Sequence, residues 1–210
     1  MSRNLGASCR LCRREGIKLM LKGSRCETAK CPIERQWRNF PPGQHGYRRG
    51  KGSNYSVRLR EKQKVKRYYG VFEKQFLRYY AQAAHQQGNT GELLLALLER
   101  RLDNVVFKLG FAPSRKAARV TIAHGHVHLN GRRVDIPSIM TNQGDEITLK
   151  NSEKSRKLVK EQMEQYQRPS PQAWLTRDDN NYKGTVAALP TRDDVQIPVE
   201  EQLIVEICSR

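Results

Sequence analysis

Four of the five cysteines fall within the first 31 residues, as Cys9-x2-Cys12 and, after thirteen intervening residues, Cys26-x4-Cys31. Two close pairs separated by a basic, hairpin-like segment are the pattern of a structural tetrathiolate site, in which four sulfurs complete a tetrahedral shell around Zn²⁺. The same four thiolates could hold an iron–sulfur cluster, and spacing does not separate the two. The apolar residues between the pairs, Leu19, Met20 and Leu21, are too few to make a core. Metal binding worth roughly 10–16 kcal/mol would order such a segment, so chelation is expected to unfold residues 1–45. Cys208 stands alone near the end and reads as a buried free thiol.

A second cluster, HGHVH at 124–128, places three histidines two residues apart. His124 is read as the last residue of a helix and Gly125 as its stop, so only His126 and His128 share a strand. Three rings so placed do not converge on one ion at about 2.0–2.1 Å. They read as polar side chains of a binding face rather than a metal site. Just upstream, SRKAAR puts Arg115, Lys116 and Arg119 on one side of a helix that Ser114 caps, with Ala118 and Ile122 on the other. Unpaired N–H groups at the helix start beside those cations suit a phosphate oxygen. Arg132 and Arg133 extend the same basic surface. On this reading Arg115→Ala should weaken binding of a phosphate-bearing polymer and lower its salt slope by roughly one.

Catalytic arrangements are not evident. GYRRGKG at 46–52 resembles a phosphate loop, but three residues instead of four separate Gly46 from Gly50, and Gly52 replaces the Ser or Thr that would hold Mg²⁺. Its Arg48, Arg49 and Lys51 are candidates for contact with a polyanion. Asp178-Asp179 and Asp193-Asp194 are adjacent pairs of the kind found in turns. Asp103 reads as a local charge partner of Arg101. The expectation is a protein that is not an enzyme.

The elements that must position these residues follow from periodicity. Residues 37–56, rich in Gly, Pro and Arg, read as an extended loop. Helices are expected over Ser56 to Gly70 and over 71–88, the latter with Phe72, Phe76, Tyr79, Tyr80 and Ala83 on one buried stripe and Gly88 as its stop. A single long helix is expected from Thr90 to Gly110, lined by Leu94, Leu98, Leu102, Val105 and Leu109. The period then changes to two. HVHL and RRVDI form a hairpin about Asn130-Gly131, with Val134 and Ile136 facing in, and 144–149 supplies a third strand. A helix over 152–166 using Leu158, Val159, Met163 and Tyr166, a hairpin over 173–186 and a short C-terminal helix, with a strand as its alternative, complete the set. The fold class is α+β: a mainly helical domain with an N-terminal cysteine metal knuckle, and an inserted small module of two helices packed on a hairpin-containing sheet. The helical domain spans 1–90 and is completed by 199–210; the insert spans 91–198.

Charge separates the two parts. The chain carries a net of +18, and residues 1–80 alone hold 21 Lys and Arg against 5 Asp and Glu. Self-repulsion on that scale calls for a polyanionic partner, and interleaved Tyr, Gly and Pro without a long apolar face favour nucleic acid over membrane. The longest apolar run, Leu93 to Leu98, is far short of the roughly 20 residues a membrane span needs, and the N-terminus has no apolar signal region. A cytoplasmic or organelle-matrix location is expected.

Several stretches also resemble a known family. RLDNVVFKLGFAPSRKAARVTIAHGHVHLNGRRVDIPS at 101–138 resembles the RNA-binding module named after small-subunit ribosomal protein four, a module found in several other RNA-binding proteins. The flanking PPGQHGYRRGKGSNYSVRLREKQKVKRYYGVFEKQF at 41–76, the cysteine segment and the ending EEQLIVEICSR resemble the bacterial-type small-subunit ribosomal protein four family itself, in its four-cysteine, metal-binding version. Cys208, where an aromatic residue is usual, and Thr121-Ile122 are visible departures. The resemblance implies a structural protein, monomeric before assembly, that binds small-subunit ribosomal RNA at a multi-helix junction and nucleates subunit assembly. It implies a position near the mRNA entry channel beside small-subunit ribosomal protein five, where translational accuracy is influenced. The implied RNA face comprises Arg101, Ser114, Arg115, Lys116, Arg119, His124, Asn130 and Arg132, and the implied ligands of Zn²⁺ or an iron–sulfur cluster are Cys9, Cys12, Cys26 and Cys31.

Overall fold

A computed structural model describes residues 4–44, 46, 52–165, 171–178 and 181–209. By internal packing the chain divides into two units, Met1–Leu94 with Gln196–Arg210, and Leu95–Val195. The sequence places the corresponding boundaries at 90/91 and 198/199.

In the first unit α1 (Ser8–Glu15) ends at Gly16, whose φ of 71° is the left-handed stop glycine tolerates. Short 3-10 turns follow at Gly23–Cys26 and Gln36–Arg38. Then α2 (Asn54–Tyr69) begins two residues earlier than the periodicity suggests, because the Ser53 hydroxyl accepts the Ser56 N–H at 3.3 Å and caps it. The Glu15 carboxylate, at the end of α1, accepts from Arg60 (3.3 Å) and Arg67 of α2. Burial raises its pKa, while Arg67 and Arg60 pull it down.

The next helix, α3 (Glu73–Ala84), buries Phe76, Tyr79 and Ala83, as the stripe requires. Two features of that expectation are corrected. Phe72 is the N-cap and stays 45% exposed, and the helix ends at Ala84, before Gly88 is reached. The C-terminal helix, α8 (Glu201–Cys208), packs on α2, tied by the Arg58–Glu206 ion pair.

The long helix expected over 90–110 is two: α4 (Thr90–Glu99) and α5 (Leu102–Lys108). Arg101, between them, is extended (φ −64°, ψ 136°) and bridges Met140. Backbone N–H groups of Leu102 and Asp103 donate to the carbonyls of Ile139 and Pro137, and Thr141 N–H donates to Arg100. These partners lie some forty residues away, so a local apolar period cannot register them. The expected stripe itself survives the break, with Leu94, Leu98, Leu102, Val105 and Leu109 all buried.

Beyond α5, the Ser114 hydroxyl accepts the Ala117 N–H at 3.2 Å and starts α6 (Arg115–Ala123). The hairpin β1 (Val127–Leu129) and β2 (Arg132–Val134) turns at Asn130-Gly131, with φ of 51° and 76°. With β3 (Glu146–Leu149), β4 (Leu175–Asp178) and β5 (Lys183–Val186) it makes an antiparallel sheet of order β2-β1-β3-β5-β4. The core joins Leu102, Val105, Val106, Leu109 and Phe111 to Ala118 and Ile122 of α6 and to Val127, Ile147 and Val186 of the sheet. Val159, on α7 (Glu153–Gln165), closes it; Tyr166, expected on that helix, lies outside the described residues. Ile136, expected to face in, is 51% exposed, because β2 ends at Val134. No described helix is long and apolar enough to cross a membrane.

Candidate nucleic-acid interface

The break between α4 and α5 organises the basic residues of the second unit. Arg101, 1% exposed, grips Asp103 with both arms: Nε to Oδ1 at 3.0 Å and Nη2 to Oδ2 at 2.6 Å. Arg119 reaches the same Asp103 Oδ2 from α6 at 3.0 Å. The sequence pairs Asp103 with Arg101; it gives no sign that Arg119 shares the carboxylate. A bidentate guanidinium on a buried carboxylate fixes orientation as well as charge.

Beside it lies a second buried network. Asn104, one residue on, donates to the Glu99 carbonyl at 2.9 Å and accepts from Arg115 Nε at 2.7 Å. The Arg115 guanidinium lies over the Phe107 ring, 4.4 Å from its centroid. Glu99 in turn pairs with Lys108 at 2.8 Å. Burial draws the Lys108 ammonium below its usual pKa, against the opposing pull of Glu99. Glu99, Asn104 and Phe107 were not picked out from sequence. A polar pair inside a Leu-rich helix was the available signal, masked by reading that helix as continuous.

The predicted RNA-contacting residues therefore divide by exposure. Arg101, Ser114 and Arg115 are buried, Lys116 and Arg119 are half-buried, and His124, Asn130 and Arg132 are exposed. Arg48, Arg49 and Lys51 lie outside the described residues. Arg115 sits at 7% exposure between Asn104 and Phe107, so it supports the surface more than it forms it. Asn130 is exposed yet occupied: its amide donates to Asp145 and its carbonyl accepts the Glu146 N–H, both at 2.8 Å, fastening the hairpin turn to β3. Arg133, exposed beside Arg132, lies across Gly125; a Cβ there would collide with the guanidinium, and the φ of 71° already favours glycine.

The histidines do not meet at a point. His124 and His126 rings stand 6.2 Å apart and tilted, and His126 Nδ1 shares a hydrogen bond with Ser155 Oγ at 2.9 Å. Burial and then His124 lower the His126 pKa. Both rings border a groove of about 350 Å³ between α6 and α7, with Lys116 on its rim. Arg132 and Arg133 on the hairpin are exposed, while Ser114 and Arg115 at the helix start are buried, Arg115 within the polar network of Asn104. A nucleic-acid backbone is the ligand that chemistry suits.

Of the four N-terminal cysteines, Cys12, Cys26 and Cys31 are buried and Cys9 is half-buried. Burial pushes the Cys12 thiol up to about 11, with Cys26, Cys9 and Cys31 each adding to the rise, so the four sulfurs share one electrostatic neighbourhood. Lys22 N–H donates to Cys26 Sγ at 3.3 Å, and the backbone at Leu19 makes the corresponding bond to Cys12. Among the described residues, no group of three His, Cys, Asp or Glu side chains stands arranged to hold a metal ion. The donor set fits Zn²⁺ or an iron–sulfur cluster in kind, while the sulfurs would have to draw together to bind either.

Comparison with known proteins adds a second line. Residues 3–99 match the family model described as ribosomal protein S4/S9 N-terminal domain, and residues 100–147 match the S4 domain. The small ribosomal subunit protein uS4 of Geobacter metallireducens is 55% identical over 212 aligned residues, covering all of both chains. The proteins of the same name from Desulfitobacterium hafniense and Halothermothrix orenii are 55% and 53% identical, again end to end.

Proposed function

This chain belongs to the uS4 family of small ribosomal subunit proteins, and from that premise we propose that it is a structural, non-enzymatic component of the small subunit of the cytoplasmic ribosome, binding small-subunit rRNA. The observation that carries this reading is the identity of more than half its residues, over its full length, with proteins of that name. The interface supports it: Arg132, Arg133 and Lys116 offer cations outward, and the Asp103 and Asn104 networks hold the surface beneath them in one arrangement. Within the subunit, the protein binds at a multi-helix rRNA junction early in assembly, entering as a monomer. It sits near the mRNA entry channel against small-subunit ribosomal protein five, where it influences accuracy. These finer placements rest on the family resemblance of the sequence.

Burial changes what is expected of the cations. Lys116→Ala should lower the log–log salt slope of RNA binding by about 0.7–0.9, the signature of one lost phosphate contact. Arg115→Ala should instead leave the slope nearly unchanged and weaken binding by loosening Asn104 and Phe107. Titrations of both variants at several salt concentrations check this. A full unit of slope lost at Arg115 would return it to the contacting set.

Cys9, Cys12, Cys26 and Cys31 would hold Zn²⁺, or alternatively an iron–sulfur cluster. Bound there, the metal would supply a cross-link between α1 and the turns after it, and no reaction. The soft donor set and the backbone N–H bonds to sulfur support this.

A further inference from the structure

Trp37 is 66% exposed on the 3-10 turn Gln36–Arg38. The 3-10 turn carrying it is pinned at both ends. Before it, Arg35 Nε donates to the Ala29 carbonyl at 3.0 Å; after it, Arg13 Nε donates to the Phe40 carbonyl at 2.9 Å, with the Arg13 guanidinium 4.8 Å from the Phe40 ring. Arg38 N–H closes the turn on the Arg35 carbonyl at 2.8 Å. The indole is therefore presented outward on a braced scaffold.

Two cations accompany it. The guanidinium carbons of Arg38 and Arg35 lie over the indole, 5.1 and 5.6 Å from its centroid. An exposed indole with guanidinium groups over its ring matches the two parts of an unpaired nucleotide: a flat base that stacks on aromatic rings and guanidinium planes, and a phosphate that pairs with arginine. A base within a duplex offers no free face, so the ligand is single-stranded at that point. Charge argues against an acid-poor protein surface as the occupant, since residues 1–80 carry 21 cations against 5 anions.

We propose that Trp37, with the Arg35 and Arg38 guanidinium groups over its ring, is a stacking platform for an unpaired nucleobase of the small-subunit rRNA. The proposal rests on the reading of the chain as an rRNA-binding protein, and it adds a contact that carries base stacking where the rest of the basic surface carries charge.

Fluorescence quenching and two substitutions provide the test. The chain has two tryptophans, and Trp174 is 2% exposed, so a neutral quencher such as acrylamide acts mainly on Trp37. Full-length protein would be titrated with a small-subunit rRNA junction fragment, acrylamide quenching would be followed, and the affinities of Trp37→Ala and Trp37→Phe would be compared with wild type. Stacking requires that RNA shield Trp37 from quencher, that the alanine variant bind roughly five- to a hundredfold more weakly with an unchanged salt slope, and that phenylalanine restore most of the loss. Wild-type binding with Trp37 still open to acrylamide, or an alanine variant within twofold of wild type, overturns the platform. Shielding that appears only once other small-subunit proteins are added overturns it in favour of a protein neighbour. Failure of the wild type to prefer the rRNA fragment overturns both the platform and the reading beneath it.

Discussion

Asp103→Ala is expected to destabilise the second unit by about 3–5 kcal/mol, the usual cost of removing one partner from a buried ion pair. The carboxylate is 2% exposed and receives three charged hydrogen bonds, two from Arg101 and one from Arg119. Its removal leaves the Arg101 guanidinium, itself 1% exposed, without its bidentate partner in a site that water does not reach. Asp103→Asn keeps the shape and one acceptor oxygen, so it should cost less while still favouring rearrangement of Arg119. Because the chain has two units, a single melting midpoint would mix them. Amide exchange in the full-length protein resolves the effect, with α5, α6 and β1 losing protection together and α2 and α3 unaffected. A change below about 1 kcal/mol at those sites would mean that Asp103 does not organise the interface.

Removing metal from the N-terminal segment is expected to have the other large effect. The buried apolar residues around the thiols are Leu19 and Leu21, fewer than an independent core needs. A tetrathiolate site is worth roughly 10–16 kcal/mol in small zinc domains. Chelation of purified protein should therefore abolish amide protection from Ser8 to Cys31 and leave the sheet of the second unit intact. Metal content measured beforehand should be one Zn²⁺ per chain, or iron with sulfide if a cluster is held. Protection that is indifferent to chelator would place the stability of this segment in contacts such as Glu15 with Arg60 and Arg67, and remove the metal from the account.

Much of the fold was legible because its signals are local. Ser114 as a cap, Asn130-Gly131 as a turn and the Leu94 to Leu109 stripe each depend on residues within a few positions, and each appears as expected. What the sequence hid depends on partners far along the chain. The break at Arg101 is made by carbonyls at 137 and 139, partners that the apolar period of LLERRLDNVV does not register. The site suffered in the same way. Helical spacing puts Arg115, Lys116 and Arg119 on one side and the family resemblance adds Arg101; exposure separates them, because Asp103, Asn104 and Phe107 draw Arg101 and Arg115 inward. Charge type points to the ligand, and packing decides which charges are exposed.

The central claim is that this protein recognises small-subunit rRNA and does more than coat polyanions. Filter binding of the full-length protein to an rRNA junction fragment, competed by an unrelated structured RNA of equal length at several salt concentrations, tests it most directly. The account requires a steep salt dependence, from many phosphate contacts, together with a clear preference for the junction that survives physiological salt. Equal binding to both RNAs that collapses as salt rises would contradict it.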